Sequence, residues 1–163
     1  HAVLGGLAYL DVISTTGLRA VWGTSSFNID AVGYSGTILN YNFSSWQKLT
    51  SNTVYDLYGL WGTATNNIWA VGGNGTLLRY NGTAWTPAAA TPTLSTSTYL
   101  GVWAANASNV WAVGTGGTIA NYNGTQWSLS VSGVRTNLWG VWGTSLADVW
   151  AVGDSASILR YQP

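Results

Sequence analysis

The feature that most limits what this chain can become is a motif written four times. Val21-Trp22-Gly23, Leu60-Trp61-Gly62, Val102-Trp103-Ala104 and Val141-Trp142-Gly143 recur at steps of 39, 42 and 39 residues. Ala31-Val32-Gly33 returns at the same steps as Ala70-Val71-Gly72, Ala112-Val113-Gly114 and Ala151-Val152-Gly153. Tyr41, Tyr80, Tyr122 and Tyr161 keep the phase, and Trp46, Trp85 and Trp127 close the first three copies. A period of about 40 residues marks stacked supersecondary units, each too small to bury its apolar face alone.

Within one copy, four β-prone runs alternate with turn signals. In the second copy, Leu57–Gly62, Ile68–Gly72, Leu77–Tyr80 and Ala84–Thr86 read as strands. Thr65-Asn66-Asn67 reads as a turn, and Asn74-Gly75 and Asn81-Gly82 as two-residue hairpin turns. Helical periodicity is absent, so helix content is expected near zero. Four up-and-down strands per unit describe a propeller blade. The expected fold is all-β, a four-bladed β-propeller with repeats 18–56, 57–98, 99–137 and 138–163 behind an N-terminal segment 1–17. Asp30 breaks the pattern where Trp69, Trp111 and Trp150 stand, Asp154 and Ala156 alter the last turn, and Pro87–Thr98 reads as a longer exposed loop.

The pattern Val-Trp-Gly-Thr, Asn/Asp-Val-Trp-Ala-Val-Gly, Gly-Thr-Ile-Leu, Tyr-Asn-Gly-Thr and Trp resembles the Trp-rich propeller repeats of secreted bacterial proteins. It runs over about residues 18 to 163. The likeness implies the fold, an extracellular or cell-surface site of action, and an architecture shared with propeller lectins. No lectin motif carries over residue by residue. The sialidase-type Asp box does not fit Asn81-Gly82-Thr83-Ala84-Trp85, and WD40 signatures are missing.

The fourth copy ends at its third strand, whereas a spare strand, Tyr9–Ser14, precedes the first copy. An open sheet edge is normally paired. The N-terminal strand is therefore expected to complete the last blade, either in cis, closing a four-bladed ring, or in a neighbouring chain by strand donation. Head-to-tail donation gives a larger ring or a filament. The apolar stretch before it supplies Val3, Leu4 and Leu7, which together with Tyr9, Leu10 and Val12 are candidates for assembly. The plain alternative packs this segment on its own ring or leaves it as a frayed terminus. The chain opens on His1 and contains no Met, which reads as a processed chain or a fragment.

Composition excludes more than it assigns. Charged residues make up 6% of the 163 residues, against roughly 25% in average domains. Five basic residues balance five Asp, with no Glu. Nucleic acid is thus not an expected partner, because no basic run exists to neutralise phosphates. Membrane insertion is not expected either, since no apolar run reaches the ~18 residues of a spanning helix. The absence of Cys removes disulfides and thiolate metal sites.

Candidate chemistry is sparse. The single His is residue 1, and Asp11, Asp30, Asp56, Asp148 and Asp154 are the only carboxylates. Asp148 shares its repeat position with Asn28, Asn67 and Asn109, as a turn residue would. Asp30 and Asp154 read as local surface variation. The expectation is no enzyme activity, no cofactor and no metal. Trp22, Trp61, Trp103, Trp142, Trp69, Trp111 and Trp150 read as core between stacked blades. Trp46, Trp85 and Trp127, with Tyr41, Tyr80 and Tyr122, are weighed between core and glycan stacking. Asn42, Asn74, Asn81, Asn106 and Asn123 head Asn-X-Ser/Thr acceptors for glycosylation, although Asn-Gly is also simply a hairpin turn. These readings favour a non-enzymatic extracellular module for surface structure, adhesion or self-assembly, its partner a second copy of itself. The alternative is a multivalent lectin-like glycan binder.

Overall fold

The computed structural model describes residues 16–88 and 96–163. They form fifteen strands in four antiparallel sheets that do not share strands. The first contains β1 (Leu18–Ser25), β2 (Asn28–Gly33), β3 (Ile38–Tyr41) and β4 (Trp46–Leu49). The second contains β5 (Leu57–Ala64), β6 (Asn67–Gly72), β7 (Leu77–Tyr80) and β8 (Trp85–Pro87). The third is β9 (Tyr99–Asn106), β10 (Asn109–Gly114), β11 (Ile119–Tyr122) and β12 (Trp127–Ser130). The fourth has three strands among the described residues: β13 (Leu138–Ser145), β14 (Asp148–Gly153) and β15 (Ile158–Tyr161). Every sheet is a meander in chain order. The spare strand expected at Tyr9–Ser14, and with it Val3, Leu4, Leu7, Tyr9, Leu10 and Val12, lies outside the described residues.

Register repeats with the sequence. Trp22 pairs with Asp30, Trp61 with Trp69, Trp103 with Trp111 and Trp142 with Trp150. Each first strand runs two residues beyond its Trp-Gly or Trp-Ala pair and is irregular at both ends of its ladder. The turn before each third strand is longer than a two-residue hairpin. In the second sheet it spans Gly73 to Thr76, with the Thr76 N–H donating to the Gly73 carbonyl at 3.1 Å. Asn74 and Gly75 occupy its centre with φ of 51° and 68°, the left-handed region that Asn and Gly tolerate best. At Asn81 the turn closes differently. The side-chain Oδ1 accepts the N–H groups of Thr83 and Ala84 at 2.9 and 3.0 Å, so Asn acts here as a cap, and only Gly82 is left-handed.

Pro87, expected in a loop, is the last residue of β8. Among the described residues helix is confined to single 3-10 turns at Tyr34–Gly36 and Thr115–Gly117.

The sheets pack face to face in chain order. β1 lies on β5, β5 on β9 and β9 on β13, but no packing of that kind joins β13 to β1 among the described residues. Among the described residues the four sheets thus form an open array with two free ends. The core sits in the junctions between sheets. Val32 and Ile38 of the first sheet bury against Leu57, Leu60 and Ile68 of the second. Trp69, Val71 and Leu77 of the second bury against Tyr99, Val102 and Trp127 of the third. Val113 of the third buries against Leu138 and Ala151 of the fourth.

Candidate functional site

Three devices recur at the inner junctions, and each is set by one repeat position. The first seats a first-strand Trp over the Gly that follows the next sheet's Trp. A Cβ on Gly62 would lie 2.5 Å from Cη2 of Trp22, and one on Gly143 would lie 2.8 Å from Cη2 of Trp103. Where Ala104 replaces Gly, the Trp61 indole N–H instead donates to the Ala104 carbonyl at 3.2 Å. The second device sets a second-strand Trp against the aromatics of the next sheet. Trp69 meets Tyr122 at 5.1 Å and Trp127 at 5.6 Å between ring centroids, and Trp111 meets Tyr161 at 4.7 Å. The third is aliphatic: the Val of Ala-Val-Gly faces the Leu or Tyr that opens the next sheet, as in the pairs Val32 with Leu57 and Val113 with Leu138.

At the two ends the same positions stand open. On the fourth sheet Trp150 is 37% exposed where Trp69 is 0%, and Val152 is 48% exposed where Val71 is 0%. Trp142 and Ile158 are more exposed still. The expectation that Trp142 and Trp150 are core is therefore corrected, because a core Trp needs a following sheet. On the first sheet Leu18 is 49% exposed where Leu57, Tyr99 and Leu138 are 0%. Val21 is exposed, whereas Leu60 and Val102 are buried. The atoms nearest a Cβ on Gly23 belong to its own sheet, Asn28 and Ile29, and not to a Trp ring. Tyr41 and Trp46 nevertheless hold the pair geometry of the buried sheets, 5.4 Å between centroids against 5.3 Å for Tyr80 and Trp85 and 5.6 Å for Tyr122 and Trp127. One end carries projecting rings, and the other carries the groove that such rings fill elsewhere in the molecule.

The six aromatic residues weighed for glycan stacking divide. Trp85, Trp127 and Tyr122 are buried and present no ring face to a sugar. Trp46, Tyr41 and Tyr80 are half-buried, with the two Tyr hydroxyls donating to the carbonyls of Phe43 and Gly82. Asn42, Asn74, Asn81, Asn106 and Asn123 are all exposed. Asn42 and Asn123 cap their turns as Asn81 does.

Every described carboxylate is engaged. Asp30 is buried rather than on the surface. Its Oδ1 accepts from Asn40 Nδ2 at 3.1 Å, while Oδ2, and Oδ1 of Asn28 on the same strand, have no partner among the described residues. Burial pushes its carboxyl above the ordinary value, and the Asn40 hydrogen bond offsets part of that. Asp56 accepts the Ser35 N–H at 2.8 Å and the Tyr58 hydroxyl at 3.3 Å. Asp148 accepts from Thr144, Trp150 and Arg160, and these bonds, Thr144's and Arg160's foremost, hold its carboxyl below the usual range. Asp154 accepts the Trp139 indole N–H at 2.7 Å and is exposed. No cluster of three metal-ligating side chains occurs among the described residues. An open groove of about 690 Å³ between β4 and the chain leading to β5 is lined by Ser35, Lys48, Asn52, Val54 and Tyr55, with no carboxylate in its wall.

Four-stranded meanders stacked face to face in chain order define a β-propeller type of protein. Among solved structures the chain is similar to YCF48 bound to a D1 peptide, with a TM-score of 0.71 and 18% identity over 90% of this chain and 51% of that one. It is similar to YCF48 from Cyanidioschyzon merolae, with a TM-score of 0.72 and 19% identity over 91% and 52%. It is also similar to the computationally designed Ika4 protein, with a TM-score of 0.75 and 13% identity over 96% and 98%. The chain thus spans about half the length of the YCF48 chains and nearly all of Ika4. No family model matches the sequence, and no curated protein matches it.

Proposed function

We propose that this chain is a non-catalytic, extracellular propeller module of four blades that works by association through its blade faces, in surface structure, adhesion or self-assembly. One observation carries the reading: Trp150, Val152 and Leu18, whose counterparts are buried at every inner junction, stand exposed at the two ends. Contiguous apolar surface of that kind marks an interaction face in a soluble chain. The carboxylates support the non-catalytic part, because each described one is tied to a structural partner. The extracellular part rests on the charge-poor, Asn/Thr-rich surface and on the resemblance to secreted repeats.

The lectin-like alternative keeps only the half-buried rings of Trp46, Tyr41 and Tyr80, too few for a site repeated in every blade. Light scattering across a concentration series tests the association reading. The expected result is a particle heavier than the 17.2 kDa chain that dissociates on dilution. A monomer at every concentration, with Trp142 and Trp150 open to a soluble fluorescence quencher, overturns it.

A further inference from the structure

We propose that the partner of these faces is a second copy of the same chain, joined head to tail at two junctions so that two sets of four blades close one eight-bladed ring. The inference rests on the association reading above and names its partner. Its ground is that the molecule already contains the interface three times.

In the proposed junction Trp142 of one copy lies over Gly23 of the other, as Trp22 lies over Gly62 and Trp103 over Gly143. Trp150 packs against the paired rings of Tyr41 and Trp46, as Trp69 packs against Tyr122 and Trp127. Val152 and Ile158 cover Leu18 and Val21, as Val32 and Ile38 cover Leu57 and Leu60. Like-to-like pairing of two fourth blades would set Trp142 against Trp142 with no glycine slot between them. Pairing of two first blades would bring together two grooves and no ring to fill them. Only the head-to-tail arrangement matches projection to groove at every position.

Charge does not oppose the contact, because Arg160 and Asp148 on the projecting face neutralise each other at 2.8 Å. The number of copies follows from the share of a propeller that four blades supply. Four blades cover 51–52% of the YCF48 chains at TM-scores of 0.71 and 0.72, so two copies supply the blades of one such propeller. A heterologous contact repeated twice then closes instead of growing into a filament.

The absence of Cys makes the test clean, since introduced thiols report only on the junction. Val152→Cys and Leu18→Cys are placed in one chain and treated with a short bis-maleimide. The expected product is a covalent species of twice the chain mass, and neither single variant gives it. A chain bridged to itself at monomer mass means that the ends close in cis. A ladder of products means a filament, and a dimer from either single variant means like-to-like pairing. Any of these, or no bridging at all, overturns the two-copy ring.

A second experiment separates failure to pair from failure to fold. Val152→Lys or Leu18→Glu alone weakens self-association by roughly 30-fold or more, because each places an unpaired charge in the junction. The double variant regains most of the loss, and all three keep the parent melting curve when diluted to single chains. Absence of rescue in the double variant overturns the assigned pairing. Light scattering that still shows a larger particle, without the cross-link, would leave the association reading standing and remove this partner.

Discussion

The junction between the second and third blades and the two free ends of the array are built from the same residues, yet they behave oppositely. Trp69 is wholly buried against Tyr122 and Trp127, while Trp150, at the same repeat position, reaches solvent. Val71 and Val152 differ in the same way. The difference teaches that burial belongs to the junction and not to the motif. A blade presents one face to the blade behind and another to the blade ahead, and a position becomes core only when that neighbour exists.

Truncating both members of a pair should give the largest difference. Trp69→Ala should cost about 3–5 kcal/mol in denaturant unfolding, the usual loss for emptying a buried aromatic site. Trp150→Ala should cost the single chain about 1 kcal/mol or less, because its ring is only partly packed. Equal losses would mean that Trp150 is core within one chain.

A smaller effect is expected in the turns before the third strands. Gly36, Gly75 and Gly117 have φ of 65°, 68° and 75°, and Ala156 holds the equivalent place at 56°. A Cβ on Gly36 or Gly117 would also collide with the carbonyl of Thr53 or Val134 in the chain leading to the next blade. Gly117→Ala should therefore destabilise by more than the ~1–2 kcal/mol of left-handed strain alone, and Ala156→Gly should stabilise by about 1 kcal/mol. Thermal melts of the two variants should move in opposite directions.

Asp30 sharpens the comparison with the Trp it replaces. Its carboxyl titrates above the ordinary value in the folded chain, so its ionised form opposes folding above that raised pKa. The opposition fades as pH falls from there towards 3.8, the value in the unfolded chain. Asp30→Asn should raise stability at neutral pH and flatten this part of the pH profile. An unchanged profile would mean that the carboxylate is solvated.

Asp148 works with the opposite sign. It contributes above its ordinary value and loses that contribution as pH falls through its lowered one. Arg160→Ala should shift the Asp148 titration upward in an NMR experiment, with the smallest stability change of the set.

The amino-acid sequence alone set the all-β meander, the period of the blades and the positions of the turns between their strands, although not the geometry of those turns. Those depend on alternation, β-branched and aromatic residues, and Asn-Gly chemistry, all of which act over a few residues. It also marked Asp30 as an exception. Which of the repeated residues are core depends on how the sheets pack. Trp85 and Trp127, open in sequence to either core or glycan stacking, are sealed by the blade behind, and Trp142 and Trp150 look like core but stand at an end. Asp30, which reads as surface variation, is closed in the interior beside Asn40. The physical reason is common to all of these: the period places a side chain on a face, but only a packed neighbour takes that face out of water.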